Sequence, residues 1–479
     1  MSELNKLTIE QAHAGLQKKE FSATELTQSC LDSIAKTEHV LHAFINIFPE
    51  QALSVAKRID KTIAQGDILE PLAGIPYAAK DNFCTAGLIT TAGSKILGKY
   101  IAPFESTTTD RLKQVGAILV GKTNLDEFAM GGSTENSAFY HTKNPHDESR
   151  VPGGSSGGSA ATVASDGVLY ALGTDTGGSV RQPASFCGSV GLKPTYGRTS
   201  RYGVIAMASS LDTISHLTKT VADSALVLQT IAGRDARDAT SSNVALDNYS
   251  EEIKKSITGL KIGLPKEYFE AEGMDSKVKE VILSAVKKIE QLTGTPVIPI
   301  NLFAPDYALA CYYLIMPAEV SSNLARYDGI RYGLSLDGDD LYDSYLKTRG
   351  SGLGSEVKRR IILGTYALSH GYYDAYYKKS CQVRSLIKGD FERVFETVDL
   401  ILSPVAPTTA FKIGEKTNDP LAMYLADLFT IPMSLAGVPA VSLPCGTSDG
   451  LPVGLQIIGR WFDEKTVLRL AHHFEQSSN

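Results

Sequence analysis

The chain has 479 residues, of which 43% are hydrophobic and 21% are charged, and its formal net charge is −6. This composition is close to the average of globular proteins and excludes a disordered chain, a collagen-like fibre and a coiled coil. A net negative charge offers no general attraction to nucleic acid or to an anionic membrane. No run approaches 18 apolar residues, so we expect no membrane span and no membrane contact.

The six cysteines are scattered along the chain, and none forms a Cys-x-x-Cys pair. We therefore expect free thiols in a reducing compartment, and neither a zinc site nor a redox site. The N-terminal residues lack the charged-then-apolar order of a signal peptide. Together these features predict a cytoplasmic protein that binds no metal.

The first 65 or so residues read as helical, because Thr8 with Gln11 and Ser22 with Glu25 fit capping boxes that open helices. From about residue 70, short apolar runs alternate with helical stretches. The clearest helix is predicted over 276–292, where apolar residues recur every three or four positions. The predicted strands are 74–79, 117–120, 168–172, 261–264, 400–402, 440–443 and 453–457.

Alternating strands and helices are typical of an α/β fold whose central sheet is covered by helices on both faces. The length alone suggests about three domains. Strands are nevertheless predicted both before residue 180 and after residue 395, which favours one large shared sheet. We therefore expect a single domain over 1–479, with N-terminal helices over about 1–65 and a mainly helical, cap-like insertion over about 300–390.

Two short motifs match patterns that their surroundings contradict. Residues 116–123 fit the P-loop, but their variable positions Ala-Ile-Leu-Val read as a buried strand, not as a loop with free N–H groups. Residues 153–158 fit Gly-x-Ser-x-Gly, yet the polar residues 144–150 before them cannot form the hydrophobic strand of a nucleophile elbow. None of the nine histidines lies in a context typical of a triad base.

Glycine and serine are concentrated between residues 153 and 203. Within this segment, Thr-Gly-Gly-Ser at 176–179 can present successive backbone N–H groups around one point, which suits an oxyanion. Ser179 could attack beside that point, and Lys80, at the end of an apolar strand, could act as its base if burial lowers the pKa of the amine. A flexible linker is disfavoured, because the Gly-Ser stretches enclose the predicted buried strand 168–172.

Taken together, these motifs resemble the amidase signature family. The resemblance is carried by residues 153–160, 175–183 and 187–198, and it extends to 80–82, 121–124 and 436–440. It implies the amidase-signature fold, an α/β architecture with a large mixed central β-sheet.

The resemblance also implies a Ser-cisSer-Lys triad. Ser179 would be the nucleophile, Ser155 the bridging serine after a cis peptide bond, and Lys80 the base. The expected oxyanion hole is formed by Thr176, Gly177 and Gly178.

Within the family, the chain is similar to the glutamine-hydrolysing subunits of tRNA-dependent amidotransferases, notably over 125–135, 194–203, 326–333, 356–361 and 371–378. This similarity implies that the chain releases ammonia from glutamine and passes it to a B subunit, which converts Glu-tRNA(Gln) to Gln-tRNA(Gln). A small C subunit would complete a heterotrimer. No cofactor is expected in this subunit, since the B subunit would use ATP and magnesium and make most of the tRNA contacts.

Two alternatives stay open at this point. One is a stand-alone amidase that acts on another small amide, and the other is a non-catalytic structural subunit. The intact Lys80, Ser155 and Ser179 argue against the second.

The similarity further implies a pocket for free glutamine, in which Arg360 binds the carboxylate, Asp427 faces the ammonium and Tyr312 lines the wall. A guanidinium fork suits a carboxylate. The sequence does not distinguish Arg360 from the adjacent Arg359. Asp427 lies in a mostly apolar run, where an unpaired carboxylate would be costly, and this mildly favours a role in binding.

Overall fold

The computed structural model describes residues 3–477 and contains one sheet of eleven strands. In chain order these are β1 Phe44–Ile47, β2 Pro76–Lys80, β3 Ile118–Thr123, β4 Tyr170–Asp175, β5 Val190–Lys193, β6 Thr213–Thr218, β7 Ile262–Pro265, β8 Ile298–Ile300, β9 Leu400–Pro404, β10 Ala440–Ser448 and β11 Leu451–Gly459. Their order across the sheet is β1-β3-β2-β4-β6-β5-β10-β11-β9-β7-β8.

The sheet is mixed. Strands β3, β2 and β4 run parallel to one another, as do β9, β7 and β8, whereas the pairs between these two groups are antiparallel. Every residue of β4, β6 and β11 is buried. Because side chains alternate between the two faces of a strand, both faces of the sheet must be covered. The predicted α/β fold with a large mixed sheet is therefore confirmed.

Among the described residues, the structure has seventeen α-helices. They are α1 Ile9–Gln17, α2 Ala23–Leu41, α3 Pro49–Gln65, α4 Thr107–Gln114, α5 Gly157–Ala164, α6 Arg181–Cys187, α7 Val221–Ile231, α8 Tyr249–Glu252, α9 Lys266–Phe269, α10 Ser276–Thr293, α11 Pro305–Asn323, α12 Leu341–Gly352, α13 Ser355–Leu368, α14 Lys379–Val394, α15 Pro420–Tyr424, α16 Ile431–Ala436 and α17 Glu464–Gln476. Short 3-10 turns lie at Leu4–Lys6, Lys95–Leu97, Glu127–Ala129, Leu324–Arg326 and Leu425–Asp427, and a π-helical turn lies at Asp374–Lys378. Over the described part of the chain, none of the helices has the length and apolar content needed to cross a membrane.

All seven predicted strands are present, but β1, β5, β6 and β8 were not predicted. The interpretation of the first 65 residues as wholly helical is wrong at β1, which pairs antiparallel with β3. This strand is only four residues long and stands between two long helices, so it has too few residues to show an alternating pattern. Strand β6 was missed because Thr, Ser and His interrupt its apolar residues, although all six positions are buried.

The segment over 300–390 is mainly helical, as predicted. Helix α11 packs against α13 and α14, and α14 packs against α16. Both predicted capping boxes form at the starts of α1 and α2. The interpretation of the whole chain as one domain stays a prediction.

Candidate active site

Lys80 ends β2, and the neighbouring parallel strand β4 ends at Asp175. The carboxyl ends of parallel strands meet at one edge of a sheet, which is where binding sites of α/β proteins form. The Lys80 amine is fully buried there. Its Nζ donates to Ser155 Oγ at 2.8 Å, to Ser156 Oγ at 2.9 Å and to Thr174 Oγ1 at 3.0 Å.

Burial lowers the pKa of Lys80 to about 7, and the nearby carboxylates of Asp126, Asp175 and Asp212 offset only part of this effect. An exposed lysine titrates near 10.4. Within residues 3–477, Lys80 forms no ion pair that would hold its proton. A substantial fraction of the amine is therefore neutral near pH 7 and able to accept a proton.

The segment before α5 holds Ser155. The Gly154–Ser155 peptide bond is cis, as the family resemblance implies. Gly154 donates its N–H to Gln182 Oε1 at 3.0 Å, and a Cβ at this position would collide with Asp126. The next residue, Ser156, donates its backbone N–H to the carbonyl of Ser179 at 3.1 Å, so the two serine segments lie side by side.

The turn over 176–179 lies between β4 and α6. In the described part of the chain, the backbone N–H groups of Gly177, Gly178 and Ser179 donate to no protein acceptor. Gly178 has a φ of 144°, a conformation that favours glycine. The turn thus offers free N–H donors beside a serine that is only 7% exposed, an arrangement suited to an oxyanion.

Side chains that the sequence reading did not single out hold this turn. Thr176 donates its hydroxyl to Asp212 at 2.8 Å, and Thr430 donates its hydroxyl to the carbonyl of Gly177 at 2.6 Å. Arg181 forms a fully buried ion pair with Asp175 at 2.8 Å, and it also donates to the Thr430 carbonyl at 2.9 Å. Asp212 and Thr430 lie far from the signature in sequence, so no local pattern marks them.

The structure distinguishes the two adjacent arginines. Arg360 is buried on α13, whereas the Arg359 side chain is 44% exposed. Arg360 donates from Nε to Glu356 Oε1 at 2.8 Å, and Arg359 also contacts Glu356. Glu356 and Arg360 are four residues apart, a spacing at which opposite charges on a helix can pair. The sequence prediction did not use this spacing to choose between Arg359 and Arg360.

Aromatic rings surround the Arg360 guanidinium, which lies 5.6 Å from the ring centroids of both Tyr313 and Tyr424. The Tyr424 hydroxyl donates to Glu356 Oε1 at 3.0 Å. Tyr312 is buried, and a Cβ on Gly177 would lie 2.8 Å from its Oη. Tyr312 therefore packs over the glycine turn.

Asp427 lies on the other side of the same turn, where a Cβ on Gly178 would be 3.3 Å from its Oδ1. This oxygen is buried and has no hydrogen-bond partner among residues 3–477. Burial, together with the charge of Asp175, raises the pKa of Asp427 to about 8, although Arg360 and Arg181 act in the opposite direction. An unpartnered buried carboxyl is costly, so its presence points to a cationic ligand.

A cavity of about 150 Å³ is lined by both Arg359 and Arg360, and its wall also includes Ser133, Glu356, Met423 and Tyr424. The nine sequence-predicted site residues thus fall into two groups. Lys80, Ser155, Thr176, Gly177, Gly178 and Ser179 form the core at the strand ends, whereas Tyr312 and Asp427 lie against the glycine turn and Arg360 lines the cavity.

The two rejected motifs have structural explanations. Residues 118–123 form β3, and Lys122 makes a fully buried ion pair with Asp81 at 2.9 Å, so no P-loop exists here. No histidine of residues 3–477 hydrogen-bonds to Ser155 or Ser179, and the buried His216 contacts Ser224 instead.

Over the same residues, no group of three His, Cys, Asp or Glu side chains is placed to hold a metal ion. All six cysteines are free.

The fold and this site define a class of protein. The Amidase family model matches residues 25–468, so the chain belongs to the amidase family and is an enzyme of the amidase signature type.

Individual members of the family match nearly the whole length of this chain. The A subunit of glutamyl-tRNA(Gln) amidotransferase from Desulfatibacillum aliphaticivorans is 54% identical over 477 residues, which covers 99% of this chain and 98% of the relative. The A subunit of the same name from Moorella thermoacetica is 54% identical over 476 residues, covering 99% and 97%. The crystal structure of the corresponding protein from Thermotoga maritima is 43% identical, with a TM-score of 0.82 over 99% of this chain and 96% of that chain.

Proposed function

We propose that this chain is the glutamine-hydrolysing subunit of a tRNA-dependent amidotransferase. The observation that carries the proposal is the buried amine of Lys80 at 2.8 Å from Ser155 Oγ, beside a turn with free N–H groups. The relatives that are 54% identical over nearly the whole chain are named as the A subunit of glutamyl-tRNA(Gln) amidotransferase, which supports the choice of reaction.

In the proposed reaction, neutral Lys80 takes a proton from Ser155, which in turn takes the proton of Ser179. The Ser179 oxygen attacks the side-chain amide carbon of glutamine. The resulting oxyanion is held by the N–H groups of the turn over 176–179. The proton then returns to the leaving nitrogen, ammonia departs, and water hydrolyses the acyl-enzyme to glutamate.

The pocket supports glutamine as the substrate because it has opposite charges for the two ends of an amino acid. Buried Arg360 suits the α-carboxylate, and the unpartnered Asp427 suits the α-ammonium. Tyr312 covers the glycine turn and would exclude water from the reacting amide.

The rest of the assignment concerns the assembly. We propose a cytoplasmic heterotrimer in which a B subunit uses ATP and magnesium, contacts the tRNA and receives the ammonia, while a C subunit holds the pair together. This chain, as one domain, would need no cofactor of its own.

Ser179→Ala should abolish ammonia release from glutamine in the purified chain, measured by a coupled ammonia assay. Substantial residual activity would contradict the nucleophile assignment. The alternative is a stand-alone amidase, and affinity purification of the tagged chain separates the two hypotheses. If the chain is recovered alone and cleaves simple amides better than glutamine, the amidotransferase hypothesis is wrong.

A further inference from the structure

The carboxylate of Glu127 connects the loop after β3 to the helix that carries Arg360. Glu127 is 2% exposed, and its Oε2 accepts a hydrogen bond from the backbone N–H of Gly354 at 2.7 Å. Its other oxygen accepts a hydrogen bond from the hydroxyl of Ser94. Gly354 is the N-cap residue of α13, so the contact lies at the start of that helix.

Helix α13 has no capping side chain of its own. In a capping box, a Glu or Gln at the third helical position reaches back to the N-cap N–H, but that position here is Val357. Glu127 makes this contact from a distant segment. Burial raises the pKa of Glu127 to about 7, and the ionised form of its carboxyl interacts favourably with the positive end of the helix dipole.

Gly354 fits this arrangement in a specific way. Its φ is −73°, which any residue can adopt, so the backbone itself does not require glycine. A Cβ at Gly354 would instead collide with Glu127 Oε2. The absent side chain therefore makes room for the carboxylate.

The first two turns of α13 carry Glu356 and Arg360, which form an ion pair at this edge of the site. Glu356, at the second helical position, accepts from Arg360 at 2.8 Å and from Tyr424 at 3.0 Å. Arg360 follows one turn later. Because a helix is stiff over such a short span, a displacement of its first residue moves both side chains.

We propose that Glu127 is a positioning residue for glutamine binding, which fixes the start of α13 and thereby the place of the Arg360 guanidinium. This inference rests on the proposed function, since it assumes that Arg360 meets the α-carboxylate of glutamine. Glu127 itself would touch no substrate.

The test is steady-state kinetics of the full-length chain, in the assembly in which it purifies, with glutamine and with butyramide, an amide without charges. Loss of this buried hydrogen bond should raise KM for glutamine about tenfold in Glu127→Ala. The kcat for glutamine and the butyramide reaction should change little. Glu127→Gln should restore most of the affinity, because its amide oxygen can still accept from the Gly354 N–H.

A second variant approaches the same contact from the other side. Gly354→Ala should raise KM for glutamine by displacing Glu127. In the Glu127→Ala background the same change should add nothing, because its Cβ then meets empty space. If the two effects multiply instead, Glu127 and Gly354 act independently and the inference is wrong.

Glu38→Ala is the matched control for Glu127→Ala. Glu38 also accepts backbone N–H bonds, from Ala43 and Phe44 at 3.0 Å, but at the end of α2. This variant should alter thermal stability, but it should not change the activity on glutamine relative to that on butyramide. Equal losses on glutamine and butyramide in Glu127→Ala and in Gly354→Ala would overturn the positioning role. If Arg360→Ala affects glutamine and butyramide equally, the proposed contact between Arg360 and the glutamine carboxylate is wrong instead.

Discussion

The hydroxyl of Thr430 donates to the carbonyl oxygen of Gly177 over 2.6 Å and holds the glycine turn against the segment that carries Asp427. The same hydroxyl oxygen lies 3.0 Å from the Asp427 carbonyl oxygen, to which the Thr430 backbone N–H donates at 3.1 Å. One side chain therefore joins the proposed oxyanion donors to the segment of the proposed ammonium site, and this contact fixes the separation of these two parts of the site.

This contact predicts the result of Gly178→Ala. A Cβ there would collide with Thr430 Oγ1, and a φ of 144° is unfavourable for alanine. We expect kcat to fall by about 10²–10³, the usual effect of losing an oxyanion donor. Single-turnover kinetics with glutamine measures it.

Gly188→Ala is the control for that variant. Gly188 also has a positive φ, of 72°, and caps α6 without bordering the site. It should cost stability but leave kcat nearly unchanged. Similar losses of kcat in both variants would argue against a specific role of the turn.

The lowered pKa of Lys80 predicts the acid limb of the pH–rate profile. A lysine is neutral above its pKa, so kcat/KM for glutamine should rise with pH through about 7. Lys80→Met should remove activity at every pH. Stopped-flow or steady-state rates across this range provide the measurement.

Lys193 offers a matched control, because burial lowers its pKa to about 7 as well. It donates to the carbonyl of Pro194 and to neither serine. Lys193→Met should therefore keep the acid limb where it is. A wild-type profile that stays flat over this range would contradict Lys80 as the base.

The raised pKa of Asp427 predicts proton release when glutamine binds. Asp427 is largely protonated below about 8, whereas an ammonium ligand favours the ionised form. Affinity for glutamine should therefore increase as pH rises toward that value. Calorimetry in two buffers of different ionisation heat, on the Ser179→Ala variant, should detect the released proton.

Asp427→Asn should abolish this proton release and weaken glutamine binding, but it should leave binding of butyramide unchanged. Proton release that persists in the variant would assign the titration to another group.

The burial difference between the two arginines predicts different effects of removing them. Arg360→Ala should raise KM for glutamine about tenfold or more while sparing butyramide, since it removes charge-assisted hydrogen bonds to the carboxylate. Arg359→Ala, with its exposed side chain, should have a much smaller effect. The reverse order in steady-state kinetics would place Arg359 at the substrate.

The Lys122–Asp81 ion pair predicts a change in stability. Lys122→Met leaves the Asp81 carboxylate buried without its partner, which should lower the free energy of unfolding by about 3–5 kcal/mol. Urea unfolding measures the change. The exposed Lys277–Asp449 pair supplies the control, because Lys277→Met should produce no measurable shift.

The sequence alone was sufficient to predict much of the fold. Apolar runs located the central strands, and the capping boxes located the first two helices, because these signals depend on neighbouring residues. The resemblance to the amidase signature family also joined Lys80, Ser155 and Ser179 in one hypothesis.

Only the tertiary structure decided the remaining points. It brought Thr430 onto Gly177 and Asp212 onto Thr176, contacts that join residues far apart in sequence. It also buried Arg360 and exposed Arg359, because the orientation of a helix depends on what packs against it. The four residues of strand β1 do not by themselves specify a strand, and β1 forms because it pairs with β3. Local patterns specify elements, whereas burial and long-range contacts specify which side chains meet.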